Sequence, residues 1–161
     1  MKLRHKLAIL AIITLPFGCA ETKQDYCKFL TLQEAQVFDP SISKAEMRQT
    51  KKINYCVYKS STSDKMFISV DRALSYPARE FFAVLAKNSP EKFDEIVSLP
   101  ATGNETTALF LGNQDDQLKL DFLITQNSQY SVTIRAHDVT RTSSDKIDKL
   151  TAVASLVLSR L

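Results

Sequence analysis

Hydrophobic and polar residues alternate along two stretches of this 161-residue chain, and both stretches predict β-structure. The first covers 53–70, where two alternating runs flank a polar turn over 60–64 and predict an antiparallel hairpin. The second consists of the runs Thr107–Leu111, Leu118–Thr125 and Tyr130–His137, which predict a three-stranded meander. Together these runs predict a sheet of about five strands.

Elsewhere the apolar residues follow a period near 3.6, which predicts helices. Thr31 and Glu34 have the spacing of a capping box, and the helix that they begin should end near Asp39, because the residue before a proline leaves the helical region. Proline suits the first turn of a helix, so Pro77 and Pro90 predict two further helices in the middle of the chain.

The remaining segments complete the predicted order of elements. The polar segment 41–49 predicts a second turn or helix after the first one. Ser143 or Ser144 caps a long C-terminal helix, whose apolar residues from Ile147 to Leu161 form one stripe. Because strands and helices are segregated along the chain, we expect an α+β fold, with an antiparallel sheet and helices packed mainly on one face.

The first twenty residues have the layout of a secretory signal peptide. Three basic residues precede an apolar run from Leu7 to Leu15, which is about half the length that crosses a membrane. Small residues then surround Cys19. Removing this segment leaves about 140 residues, enough for a single domain over 21–161.

Two routes of signal cleavage fit the residues that come after the apolar run. Cys19, between Gly18 and Ala20, resembles the acylated cysteine of bacterial lipoproteins, which implies a lipid anchor and a periplasmic location at the outer membrane. Pro16 and Phe17 depart from the pattern of that family. The alternative is ordinary cleavage after Ala20, with Glu21 as the first mature residue.

The two remaining cysteines, Cys27 and Cys56, form an even pair in a chain that is predicted to enter an oxidising compartment. We therefore expect a disulfide between them. The alternative is two buried free thiols. A zinc site is disfavoured, because two cysteines and one mature histidine are too few ligands for a closed tetrahedral site.

Charge and motifs indicate a binding protein without a cofactor. Without the three basic residues of the signal, 18 basic residues balance 18 acidic ones, so no basic surface for nucleic acid is expected. With three glycines in the whole chain, no phosphate-binding loop is present. The sequence also lacks the serine and cysteine nucleophile motifs of common hydrolases.

Two carboxylate pairs are the remaining catalytic candidates. Asp94 and Glu95 lie side by side on a predicted helix, and Asp115 and Asp116 lie in a predicted turn. Both pairs are interpreted as solvated surface residues, although two carboxylates close in space would suit a cell-wall hydrolase.

The order of elements, the strand Tyr130–Ile134 and the closing helix Lys149–Leu161 resemble small bacterial envelope lipoproteins with a PsbP-like α+β sandwich. This resemblance covers most of the mature chain and implies a binding or accessory role in the envelope. It carries no catalytic motif.

The last hairpin has a mixed-charge outer face, which is interpreted either as an ordinary solvated sheet face or as a candidate partner surface. A tight turn over 127–129 would place Ile124 opposite Val132 and Phe122 opposite Ile134, with all four facing the core. The outer face would then carry the candidate partner-binding residues, with arginine as the expected anchor. These residues are Lys119, Asp121, Thr133, Arg135 and His137.

These observations leave three classes of function. The first is a non-catalytic envelope protein that binds a protein partner, for example an immunity protein that blocks a toxin delivered into the periplasm. The second is a cell-wall hydrolase that uses a carboxylate pair. The third is a carrier of a lipid or another small ligand.

Overall fold

The computed structural model of the protein describes residues 25–51, 53–88, 95–100, 104–112 and 118–161. Within these ranges the chain forms a seven-stranded antiparallel sheet and three α-helices, preceded by a short 3-10 helix over Tyr26–Phe29. The strands are β1 (Lys44–Gln49), β2 (Asn54–Lys59), β3 (Asp64–Arg72), β4 (Glu95–Leu99), β5 (Glu105–Leu111), β6 (Lys119–Gln126) and β7 (Tyr130–Ala136). The helices are α1 (Leu32–Phe38), α2 (Ala78–Asn88) and α3 (Ser144–Leu158).

The strands are arranged in the order β1-β2-β3-β7-β6-β5-β4. Two meanders, β1 to β3 and β4 to β7, therefore meet where β3 pairs with β7 in the middle of the sheet. The α+β class and the long C-terminal helix agree with the sequence prediction. The predicted number of about five strands is wrong. The segment that forms β1 was predicted as a polar turn or helix, and the segment that forms β4 was predicted as part of a helix.

Each face of the sheet has its own apolar cluster. The larger cluster joins α1 and α3 to residues such as Tyr58, Ile68 and Ile134, all of which are buried. The smaller cluster lies on the opposite face, where α2 packs through Phe82 against Leu109 of β5 and neighbouring strands. Helices therefore lie on both faces, and the expectation of helices mainly on one face needs this correction.

The N-terminal segment is fixed to the main cluster by covalent and polar contacts. Cys27 in the 3-10 helix is bonded to Cys56 in β2, so the predicted disulfide is confirmed. The predicted capping box is also present, since the Thr31 hydroxyl accepts from the Glu34 amide while the Glu34 carboxylate accepts from the Thr31 amide. Hydrogen bonds from Arg160 and from the Thr31 backbone lower the pKa of Glu34 to about 2.

The last hairpin differs from the prediction by one residue of register. Leu123 lies opposite Ile134 and Ile124 lies opposite Thr133. The reason is the turn, in which the Asn127 side chain accepts from the backbone amides of residues 129 and 130 and leaves two residues at the tip. Because side chains alternate between faces, Leu123 faces α3, whereas Phe122 and Ile124 face the α2 side.

Candidate functional site

A groove lies on the α2 side of the sheet, between that helix and the β1–β2 turn. Its volume is about 680 Å³, within the range of 300–1,000 Å³ typical of ligand pockets. We call it the open-face groove, because the opposite face of the same strands is covered by α1 and α3. Its lining residues are Thr50, Ile53, Tyr55, Phe67, Ser69, Asp71, Phe81, Phe82, Leu85, Leu120, Asp121, Phe122, Ile124, Thr133, Arg135, Ala136 and His137.

The floor of the groove is formed by alternate residues of the two central strands. Phe67, Ser69 and Asp71 project from β3, because Met66, Ile68 and Val70 point into the main cluster on the other face. Thr133 and Arg135 project in the same way from β7. Since the strands pair with Ser69 opposite Thr133 and Phe67 opposite Arg135, these side chains are direct neighbours.

Aromatic rings line much of this floor and its walls. The ring centroids of Tyr55 and Phe67 are 6.1 Å apart, and Phe67 meets His137 edge to face at 5.6 Å. On the other side, Phe82 of α2 stacks on Phe122 of β6 with centroids 6.5 Å apart. Such contacts fix the orientation of the rings, so the groove presents an ordered aromatic surface.

Arg135 is held in place by two contacts at this surface. Its guanidinium carbon lies 4.5 Å from the centroid of the Phe122 ring, within the range of a cation–π contact. The same guanidinium forms an ion pair with Asp121. The charge of Arg135 is therefore balanced, and these two contacts hold its side chain in a defined orientation.

The structure places four of the five predicted partner-binding residues in the groove: Asp121, Thr133, Arg135 and His137. The fifth, Lys119, is exposed on β6 but does not line the groove, and its backbone is bridged to Thr140. Whether any of these residues binds a partner stays a prediction.

The sequence interpretation missed the residues that give the groove its character. Tyr55 belongs to β2, in which both alternate sets are mainly apolar, whereas Phe67 belongs to the set of β3 that also contains Ser69 and Asp71. A strand that is apolar on both faces indicates that both faces are covered or used for binding, and that signal was available in the sequence. The contribution of α2 depends on tertiary packing, which no local pattern shows.

The two carboxylate pairs are described in part. Asp94, Asp115 and Asp116 lie outside the described residues. Glu95 is the first residue of β4, where its carboxylate accepts from the Arg141 side chain at 3.0 Å. Within the described ranges, no three His, Cys, Asp or Glu residues are grouped so that they could hold a metal ion.

The predicted signal segment and Cys19 also lie outside the described residues. None of the helices in the described part of the chain is both long enough and apolar enough to span a bilayer. No family model, no curated protein and no solved structure matches this chain. Its function is therefore inferred from the fold, the groove and the sequence.

Proposed function

We propose that this protein is an exported, non-catalytic binding protein of the cell envelope, and that a protein partner occupies the open-face groove. The observation that carries the proposal is the uncovered aromatic surface of the groove, on a sheet whose opposite face is covered by helices. Grooves of this volume that are lined mainly by apolar and aromatic side chains, with a few polar groups, are typical of binding sites. Ile53 at the rim is half exposed, so the apolar surface reaches the solvent.

The composition of the groove favours a protein partner. Aromatic residues and arginine are enriched at the centres of protein interfaces and among binding hot spots. Arg135 is fixed by Asp121 and Phe122, so little side-chain entropy is lost when a partner contacts it. This preorganisation supports Arg135 as an anchor, in agreement with the expectation from the sequence.

The second candidate is a carrier of a small ligand. The volume of the groove is the specific observation that favours it, because 680 Å³ would hold a drug-sized molecule. The two candidates share one site and differ in the occupant. An immunity protein against a periplasmic toxin is one specific form of the protein-binding proposal.

Export is the second part of the proposal. The support is the signal-like segment before residue 21 together with the disulfide, since disulfides persist in oxidising compartments. We further propose that Cys19 becomes the acylated first residue and anchors the domain at the inner face of the outer membrane.

Mass spectrometry of the protein purified from bacterial membranes tests the anchor. We expect an N-terminus at Cys19 with a mass increase from lipid, and a Cys19→Ala variant should move to the soluble periplasmic fraction. An unmodified N-terminus at Glu21 would show ordinary cleavage and overturn the lipid anchor, while it would leave export intact.

Site-directed photo-cross-linking tests the binding role. A photoreactive amino acid at Thr133, on the floor of the groove, should form a cross-link with one envelope protein in living cells. The matched control carries the same amino acid at Ala152, an exposed residue of α3. This helix packs on the face of the sheet opposite the groove. Cross-links at both positions, or at Ala152 alone, would contradict a partner in the groove.

A further inference from the structure

The described lining residues of the open-face groove carry an unbalanced negative charge. Among its described lining residues, the charged side chains are Asp71, Asp121 and Arg135. Asp121 and Arg135 form an ion pair, so their charges cancel. Within the described part of the chain, Asp71 has no cation within 4 Å, so no described residue supplies a counterion to this carboxylate.

We propose that the groove binds an extended segment of its partner that carries apolar side chains and one lysine or arginine, whose positive charge pairs with Asp71. This inference rests on the proposed binding function and names the chemistry of the occupant. Three further features of the groove support it.

The first feature is the environment of the Asp71 carboxylate. Asp71 is an exposed residue near the end of β3, and the protein atoms on its groove side raise its pKa above the ordinary value by desolvation. The ionised form is therefore less well solvated here than on an open surface. A bound ammonium or guanidinium group would supply the missing counterion and lower this pKa again.

The second feature is the aromatic surface itself. The faces of aromatic rings carry negative electrostatic potential and attract cations. Arg135 over Phe122 shows that a guanidinium lies on a ring of this groove with good geometry. Tyr55 and Phe67 line the same groove, and within the described residues no cation–π contact is made to either ring.

The third feature is the length and polarity of the floor. Phe67 and Asp71 lie four residues apart on one strand, a distance of about 13 Å at the usual rise per residue. About four residues of an extended peptide span that distance. Between these ends lie the hydroxyl groups of Ser69 and Thr133, which have no hydrogen-bond partner among the described residues and would meet peptide N–H and C=O groups.

These features disfavour an anionic lipid as the occupant. A carboxylate or phosphate needs a cation that is not already neutralised, and Arg135 is paired with Asp121. The same anion would meet the negative charge of Asp71 in the groove. A lipid with an anionic head group is therefore electrostatically opposed, whereas a basic peptide is favoured at both Asp71 and the ring faces.

Three matched peptides test the inference on the folded, oxidised domain. The probe is acetyl-Trp-Leu-Lys-Leu-amide, and its controls replace the lysine with norleucine or with glutamate. Because the chain contains no tryptophan, the peptide's own fluorescence reports binding. We expect the lysine peptide to bind about threefold to fivefold more tightly than the norleucine peptide, as for a partly exposed ion pair, and the glutamate peptide to bind least.

Two carboxylate variants assign the effect to its site. Asp71→Asn should remove the preference for lysine over norleucine, whereas Asp148→Asn, on exposed α3 surface, should leave that preference unchanged. Equal binding of the lysine and norleucine peptides, or an unchanged preference in Asp71→Asn, would overturn the inference. Stronger binding to phosphatidylglycerol vesicles than to the lysine peptide would also overturn it.

The outcomes for this inference and for the proposed function are distinguishable. A partner that cross-links at Thr133 while all three peptides bind alike would leave the binding function standing and remove the basic segment from it. A lysine preference that depends on Asp71, combined with cross-links at Ala152 alone, would confirm the charge chemistry of the groove and contradict its use by a protein partner.

Discussion

Replacing Cys56 with serine is expected to lower the free energy of unfolding by about 3–4 kcal/mol. The disulfide joins residues 29 positions apart, and closing a loop of that length restricts the unfolded chain. It also ties the 3-10 helix to the sheet, where Cys56 is fully buried. For a domain of this size, the melting temperature should fall by about 10 °C.

Three measurements show whether the loss of stability in Cys56→Ser comes from the missing disulfide or from the serine hydroxyl that is buried in its place. Cys27→Ser removes the same bridge at a partly buried position, so its melting temperature should fall by a similar amount. Reducing agent should destabilise the wild type to the same extent and leave both variants unchanged. Two titratable thiols in the untreated protein, with no change in melting temperature on substitution, would contradict the bridge.

The helix ends and the disulfide could be predicted from the sequence. Helix ends depend on residues a few positions apart, and the disulfide was inferred from the number of cysteines. Thr31 and Glu34 form the capping box through groups three residues apart, and the helix ends at Phe38, with Asp39 before the proline as its C-cap. The stripe on α3 is buried as its period predicts, including Ile147, Leu150 and Val157. The disulfide was predicted from an even number of cysteines in a chain with a signal-like segment.

The two missed strands lack the apolar alternation on which the prediction depended. In β1 the alternate residues Glu46 and Arg48 are charged, and they form ion pairs with Lys59 of β2 and Asp64 of β3. Charged side chains are typical of edge strands, because they discourage pairing with other chains. Such a strand is polar by itself and becomes recognisable only beside its neighbours.

The other missed strand, β4, was taken as the end of a helix that begins at Pro90. Ile96 and Val97 fit a helical stripe, yet in the structure Ile96 packs with α2 and Val97 packs with the main cluster on the opposite face. Consecutive residues on opposite faces are a property of a strand. Residues 89–94, including Pro90, lie outside the described residues.

The side chains that the last hairpin contributes to the groove face were predicted in part, and the pairing of β6 with β7 explains why. The β7 residues Thr133, Arg135 and His137 were assigned to the correct face, because Val132 and Ile134 are apolar and alternate with them. The β6 residues were assigned by a register that is wrong by one position, and Asp121 still reaches the groove because it lies at a register shift between β5 and β6. The predicted register would also have put Leu123 and Thr125 on the outer face, but both are buried on the α3 side of the sheet.

Filling the open-face groove should abolish most of the binding if a protein partner occupies it. Thr133→Trp places a large side chain on the floor, where open space and not packed core surrounds it. Using the partner identified by cross-linking, we expect the dissociation constant to rise by about 30-fold or more, because the substitution blocks the centre of the interface. The melting temperature should stay close to that of the wild type.

The matched control is Ala152→Trp, which adds the same side chain to an exposed position on α3. Titration calorimetry with the purified partner measures both variants under one condition. We expect Ala152→Trp to bind as the wild type does and Thr133→Trp, although folded, to bind far more weakly. Equal affinity of the two folded variants would contradict the groove as the binding site of this protein.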